Sequence, residues 1–247
     1  MEPEALDGAW NMAIDHALFE HAQATGQPAL RFYRWDPATL SLGRNQAARV
    51  DAEALAARGY GLVRRPTGGM AVFHDRELTY SVAAPVGLIG SPRETYQQIN
   101  AALLEGLRGL GVGAQVATEG TATRRLASCF GEPAAGELLV DARKLVGSAQ
   151  RYENRTLLQH GSILIEGDQT EIAALIPYSG AGEAAIGLAQ VLGRVPGWNE
   201  LVGALATAFA VRLGISLAPG GLAPELVARA TELRRHYLSR EWTWRLP

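Results

Sequence analysis

A thiol, an ammonium and several small residues fall together between Cys129 and Ile163, and these side-chain types suit acyl transfer. Cys129 is the single cysteine and precedes Phe130. Lys144 opens the run Lys144-Leu145-Val146-Gly147-Ser148-Ala149-Gln150, and Gln159-His160-Gly161-Ser162-Ile163 follows on the second strand of an expected hairpin. A lysine beside a thiol favours the thiolate, the nucleophilic form. The competing reading is structural: a lone cysteine is commonly a small buried hydrophobe, and a strand lysine commonly points to water.

Strand alternation sets Lys144, Val146, Ser148 and Gln150 on one face of the hairpin and Leu145, Gly147 and Ala149 on the other. A loop at Glu153-Asn154 would oppose Gly147 to His160 and put Gly161 on the lysine face, giving both polar side chains a small neighbour. His160 is either a proton shuttle or a histidine that fixes a loop, and the structural role is favoured. Gly68-Gly69 follow a strand-like run, where backbone N–H groups can approach a ligand and Arg64 and Arg65 add positive charge; a tight turn explains them equally. Arg124 and Arg125, shortly before Cys129, can depress its pKa, meet an acidic partner or form a solvated face. His74 is placed at an exposed turn. The histidine spacings match no helix-borne zinc pair, so no metal site is expected.

These residues need a scaffold. A helix is expected from Asp7 or Gly8 through about His21, strands over Leu30 to Trp35 and Thr39 to Leu42, and a short helix from Asp51 to Arg58. Tyr60 to Arg65 reads as a strand, and Met70 to His74 with Glu77 to Ala84 as a hairpin turning at Asp75-Arg76. Pro92 to Leu110 carries an apolar stripe with a Ser91 cap. Thr118 to Gly136 reads as a long loop, and helices are expected near Gln169 to Leu175, Gly197 to Leu213 and Pro224 to Tyr237. The fold class is α/β (α+β), a mixed sheet with flanking helices.

Charged residues at 19% and hydrophobic residues at 47% describe a globular chain of one domain or two small ones. The net charge of -2 argues against nucleic acid as a partner. With one cysteine there is no disulfide framework, and a reducing cytoplasm is expected. Neither a signal peptide nor a membrane span is read.

Taken in order, the motifs resemble the lipoate-protein ligase and octanoyltransferase superfamily. Arg64-Arg65-Pro66-Thr67-Gly68-Gly69 and Lys144 to Gln150 carry the likeness, with Asn11 to Asp15, Ser41 to Gln46 and the end at Glu241-Trp242-Thr243. Cys129-Phe130, His74 to Ser81 and Gln159 to Ile163 are most similar to the LipM-type octanoyltransferases. Met70 stands where ligases commonly have a third glycine.

The resemblance implies a biotin/lipoyl ligase fold with one catalytic domain over 1–247 and a pocket for an eight-carbon chain. It implies Cys129 and Lys144 as catalytic residues, and Arg65, Gly68, Gly69, His74, Gly147, Ser148, His160 and Gly161 as substrate-binding ones. The donor would be octanoyl-acyl carrier protein and the acceptor a lysine of a lipoyl domain or glycine cleavage H protein, with no cofactor. The alternative is an ATP- and Mg-dependent lipoate-protein ligase working through an acyl-adenylate.

Overall fold

Asp7 accepts a hydrogen bond from the Trp10 N–H at 2.8 Å, and Gly26 ends the same helix at φ 77, which bounds α1 (Gly8–Thr25), a turn longer than the sequence suggests. The computed structural model describes residues 4–117, 136–167, 169–177 and 185–246. Next come β1 (Ala29–Tyr33), β2 (Thr39–Leu42), α2 (Ala52–Ala57), β3 (Gly61–Arg64), β4 (Val72–His74) and β5 (Glu77–Pro85). Helix α3 (Pro92–Gly109) starts on a capping box between Ser91 and Glu94. The chain continues through β6 (Gln115–Val116), β7 (Leu138–Val140), β8 (Arg143–Glu153) and β9 (Thr156–Leu164). Helices α4 (Glu171–Leu175), α5 (Leu188–Leu192), α6 (Trp198–Leu213), α7 (Pro224–Leu238) and α8 (Arg240–Thr243) complete it.

The expected sheet with flanking helices is present, divided in two. β1-β5-β9-β8-β7-β6 form an antiparallel sheet, and mixed pairing is confined to β3-β2-β4. The expected hairpin at Asp75-Arg76 does not form. Both edges of β5 are taken by β1 and β9, so β4 pairs with β2 instead, and Arg76 at φ 41 turns the chain between the sheets. The hairpin β8–β9 does form, but its turn is Asn154-Arg155, at φ 48 and 61, both positive as a two-residue turn of this hand requires. Gly147 therefore opposes Ser162, and His160 opposes Ala149. The parity is unchanged, so Gly161, opposite Ser148, stays on the lysine face.

Alternation along β5 and β9 gives the large sheet two different sides. Leu78, Tyr80, Val82 and Ile163 pack with Ile99, Leu103 and Leu107 of α3 and Leu201, Leu205 and Phe209 of α6. Their neighbours Ala83 and Leu158 pack with α1 and α7 through Met12, Leu18, Leu233 and Tyr237. Leu40, Leu42 and Phe73 of the small sheet make a third core with Leu55 and Leu175. Among the described residues no helix is long and apolar enough to cross a membrane.

Candidate functional site

The α1 side of the large sheet carries polar side chains in rows. Arg31, Ser81, His160 and Ala149 align across β1, β5, β9 and β8, and beside them run Tyr33, Thr79, Ser162 and Gly147. His160 and Ala149 of the first row and all four residues of the second floor a cavity with about 350 Å³ of empty space, its opening to solvent included, whose other walls include Met12, Trp35, Ser41, Arg65, Val72 and His74. Its room comes from Gly147 and Ala149, which are too small to fill the space beneath α1.

Two buried carboxylates hold the floor together. Asp15 on α1 accepts from Arg31 (2.9 Å), Tyr33 (2.8 Å), Ser81 (2.8 Å) and His160 Nδ1 (3.2 Å). Burial alone would push Asp15 upward, but the His160 hydrogen bond, the Arg31 charge and the Tyr33 hydroxyl together hold it below its usual value. Burial lowers His160, with Asp15 opposing, and its Nε2 meets Thr67 Oγ1 at 2.6 Å. Glu77 accepts from His74 Nδ1 at 2.7 Å and also from Thr79 and Ser162. His74 Nε2 reaches Ser41 Oγ at 2.8 Å, while the ring stacks on Trp35 with centroids 3.9 Å apart.

His74 is thus buried at 6% exposure, not exposed as the sequence suggests, because β4 turns inward against β2. Ser41, His74 and Glu77 are joined in hydroxyl–imidazole–carboxylate order. Arg65 also donates to Ser41 Oγ at 3.1 Å, and the sharing of Glu77 makes this a cross-linked wall.

The two arginines of the glycine loop part company. Arg64 is fully buried and donates to the carbonyls of Gly43 (2.7 Å), Gln46 (2.6 Å) and Thr243 (3.0 Å), fastening α8 to the core. Burial, with the nearby charges of Arg245 and Arg65, lowers it to about 10. Arg65 enters the cavity wall and donates to the carbonyls of Gly68 (2.7 Å) and Met70 (2.6 Å), which shapes the loop. Gly69 sits at φ 84, and a Cβ on Gly43 would lie 1.8 Å from the Gly69 carbonyl oxygen. Gly68 faces open space and neither loop glycine lines the cavity.

Lys144 also stands apart from the cavity. It shares its face of β8 with Ser148 and is buried in an ion pair, its Nζ 2.5 Å from Glu137 Oε1. The same side holds Tyr80, whose hydroxyl lies 2.7 Å from both Ser148 Oγ and Gln159 Nε2. Burial raises Tyr80, with a smaller contribution in that direction from the Glu137 charge. Since the Gln159 amide donates to Tyr80, the tyrosine proton is best placed on Ser148, whose own hydroxyl proton is left to donate elsewhere. Gly161 and Ser148 also line the cavity, and Gly161 is packed closely on the tyrosine side, where a Cβ would lie 2.6 Å from Tyr80 and 2.8 Å from Ser148 Oγ.

The structure therefore gathers Arg65, His74, Gly147, Ser148, His160 and Gly161 around one cavity, with Lys144 behind its Ser148 margin. Cys129, Arg124 and Arg125 lie outside the described residues. Sequence reasoning did not single out Asp15, Glu77 or Glu137. Asp15 had a usable signal: Asn11 and Asp15 fall in step with Leu18 and Ala22, and polar groups on a buried helix face need partners.

Two sheets with helices on both sides thus hold a partly open cavity with a buried lysine beyond its margin. The chain belongs to the lipoyl protein ligase A/B catalytic domain family, which residues 7–210 match. It is 41% identical over 259 residues to octanoyltransferase LipM of Kyrpidia tusciae, covering 96% of this chain and 94% of that one. The Moorella thermoacetica octanoyltransferase LipM is 39% identical over 252 residues, with 94% and 92% covered. A crystal structure of lipoate-protein ligase A bound with ATP superposes with a TM-score of 0.83 at 24% identity, covering 100% of both chains. The lipoate protein ligase of a bi-partite system from Thermoplasma acidophilum gives 0.79 at 23%, covering 100% of this chain and 98% of that one. These two likenesses concern the fold.

Proposed function

We propose that this chain is an octanoyltransferase of protein lipoylation, one catalytic domain that works in a reducing cytoplasm and needs no cofactor. It would take the acyl group from octanoyl-acyl carrier protein through a Cys129 thioester to a lysine of a lipoyl domain or glycine cleavage H protein. The octanoyltransferase relatives support the class. The observation that carries the reading is the cavity that ends at Ser148 and Gly161, on the margin of the face bearing Lys144.

In this reading the hydrocarbon tail lies over Gly147 and Ala149 under Met12 and Val72. The thioester carbonyl stops at Ser148, whose free hydroxyl proton can donate to the developing oxyanion. Cys129 thiolate attacks the carbonyl carbon, the bond to the carrier sulfur breaks, and the Lys144 ammonium passes a proton to the departing thiolate. The acceptor amine then attacks the Cys129 thioester, its proton goes to neutral Lys144, and Cys129 leaves as thiolate. Exchange of thioester for thioester is nearly balanced and amide formation is downhill, so the sequence of bonds closes without ATP.

Incubation with octanoyl-carrier thioester should add one octanoyl mass to Cys129, and a lipoyl domain should then discharge it. Cys129→Ala should stay folded and transfer nothing. Lipoylation that requires ATP and persists in Cys129→Ala would overturn this reading in favour of the ligase.

A further inference from the structure

Lys144 is the only lysine in the chain, every other member of its 23 lysines and arginines being arginine. An arginine would serve a buried ion pair at least as well, since guanidinium is always charged and fits a carboxylate. What it does not do at working pH is release a proton. The use of lysine at this one place points to proton transfer, and the group that faces it then matters.

That group is Glu137, a residue with no assigned role. Its carboxylate is 4% exposed and the lysine side chain 2%, so the pair is out of water. The backbone around Glu137 is fastened from two sides. Ala117 N–H donates to the Glu137 carbonyl at 2.8 Å, Gly136 N–H to the Ala117 carbonyl at 2.9 Å, and Asn100 of α3 to the Gly136 carbonyl at 2.8 Å. Gly136 lies at φ 92, and a Cβ there would sit 2.9 Å from the Tyr96 ring, so the residue that aims Glu137 is suited to glycine alone. The Glu137 charge reaches Tyr80, which holds Ser148 at the cavity margin.

We propose that Glu137 is a positioning residue for acyl transfer: it aims the Lys144 amine at the Ser148 margin of the cavity and holds it as ammonium until a proton is needed. The inference rests on Lys144 acting in acyl transfer as described above. Without a neighbouring negative charge, a lysine out of water favours its neutral form, and a neutral amine has no proton for the departing carrier thiol.

The sole lysine makes the test direct, because protein grown on ¹³C,¹⁵N-lysine reports Lys144 by itself in NMR. In Glu137→Gln the lysine signal should titrate at lower pH than in the unaltered protein. The alkaline limb of kcat/KM for octanoyl transfer should move the same way, so that the loss of rate grows as pH rises above neutrality. Glu137→Asp keeps the charge and should hold the limb close to that of the unaltered protein while losing rate through its shorter reach. This second variant carries the test if Glu137→Gln does not fold. A lysine titration and a limb that do not move in Glu137→Gln overturn the proposal, as does an unchanged rate in Glu137→Asp. Lys144→Met separates the two levels: full transfer in that variant overturns the role of Lys144 itself, whereas loss of transfer beside an unaffected Glu137→Gln overturns only the role of Glu137.

Discussion

Two buried acid–base constellations lie on opposite sides of the same sheet, and they are built differently. Under α1, Asp15 is shared by Arg31, Tyr33, Ser81 and His160, so that a helix and three strands meet on one carboxylate. Toward α3, Lys144 and Glu137 sit on β8 and at the start of β7, and the strand beyond them, β6, is only two residues long. The first constellation cross-links the wall of a cavity. The second puts a titratable amine against a carboxylate near the sheet edge. Damage to the first should cost folding, and damage to the second should cost rate.

The sharpest test of the difference is Lys144→Arg. Arginine retains a positive charge for Glu137 but supplies no proton at working pH, so kcat/KM should fall by about 10²–10⁴-fold. Thermal unfolding should stay close to that of the unaltered chain. Near-normal transfer would show that only the charge at this place matters and would erase the contrast.

Asp15→Ala should act in the opposite sense. It leaves the buried His160 and the half-buried Arg31 without their shared partner, a situation that destabilises by up to about 3–5 kcal/mol. Denaturant unfolding would measure this, and a loss below about 1 kcal/mol would mean that the wall relaxes around the missing carboxylate. Gly161→Ala sits between the two sides. Its Cβ would press on Tyr80, Ser148 and the Gly147 carbonyl, 2.5 Å away, so we expect a loss of about 1–3 kcal/mol together with slower octanoyl loading. Loading at the ordinary rate would show that the cavity does not reach the lysine face through Gly161.

The same contrast explains what the sequence disclosed. Helix α3 was legible because its Ser91 cap and its Ile99, Leu103 and Leu107 stripe are local signals. The β8–β9 hairpin was legible to its parity, but its register was set by the positive φ of both Asn154 and Arg155, and while asparagine suits that conformation, arginine does not announce it. The parting of β4 from β5 was hidden, since it depends on β1 and β9 claiming both edges of β5. Cavity residues came to light through ordered motifs rather than composition. Their anchors Asp15 and Glu77 fell within those motifs without a role, because a shared carboxylate is defined by donors from distant strands, and Glu137 acquires meaning only when β7 is laid against β8.

The smallest effect expected is a dependence of stability on pH that belongs to the α1 side. Burial holds His160 below its ordinary 6.5, so the unfolded chain takes up a proton at a higher pH than the folded chain does. The stability due to the neutral ring is full above pH 6.5 and is lost as pH falls through the folded value. Asp15, held below its ordinary 3.8, adds a loss of the same sign that begins lower. His16, pushed by burial to about 4, also acts in this direction, so the total slope is not diagnostic. The measure is the difference between the unaltered chain and His160→Gln, whose unfolding free energy should decline less steeply between pH 6.5 and the acid limb; each unit of displacement is worth about 1.4 kcal/mol. Parallel curves would mean that the Thr67 and Asp15 contacts of His160 adapt to the added proton, and that the cavity wall is softer than its shared hydrogen bonds indicate.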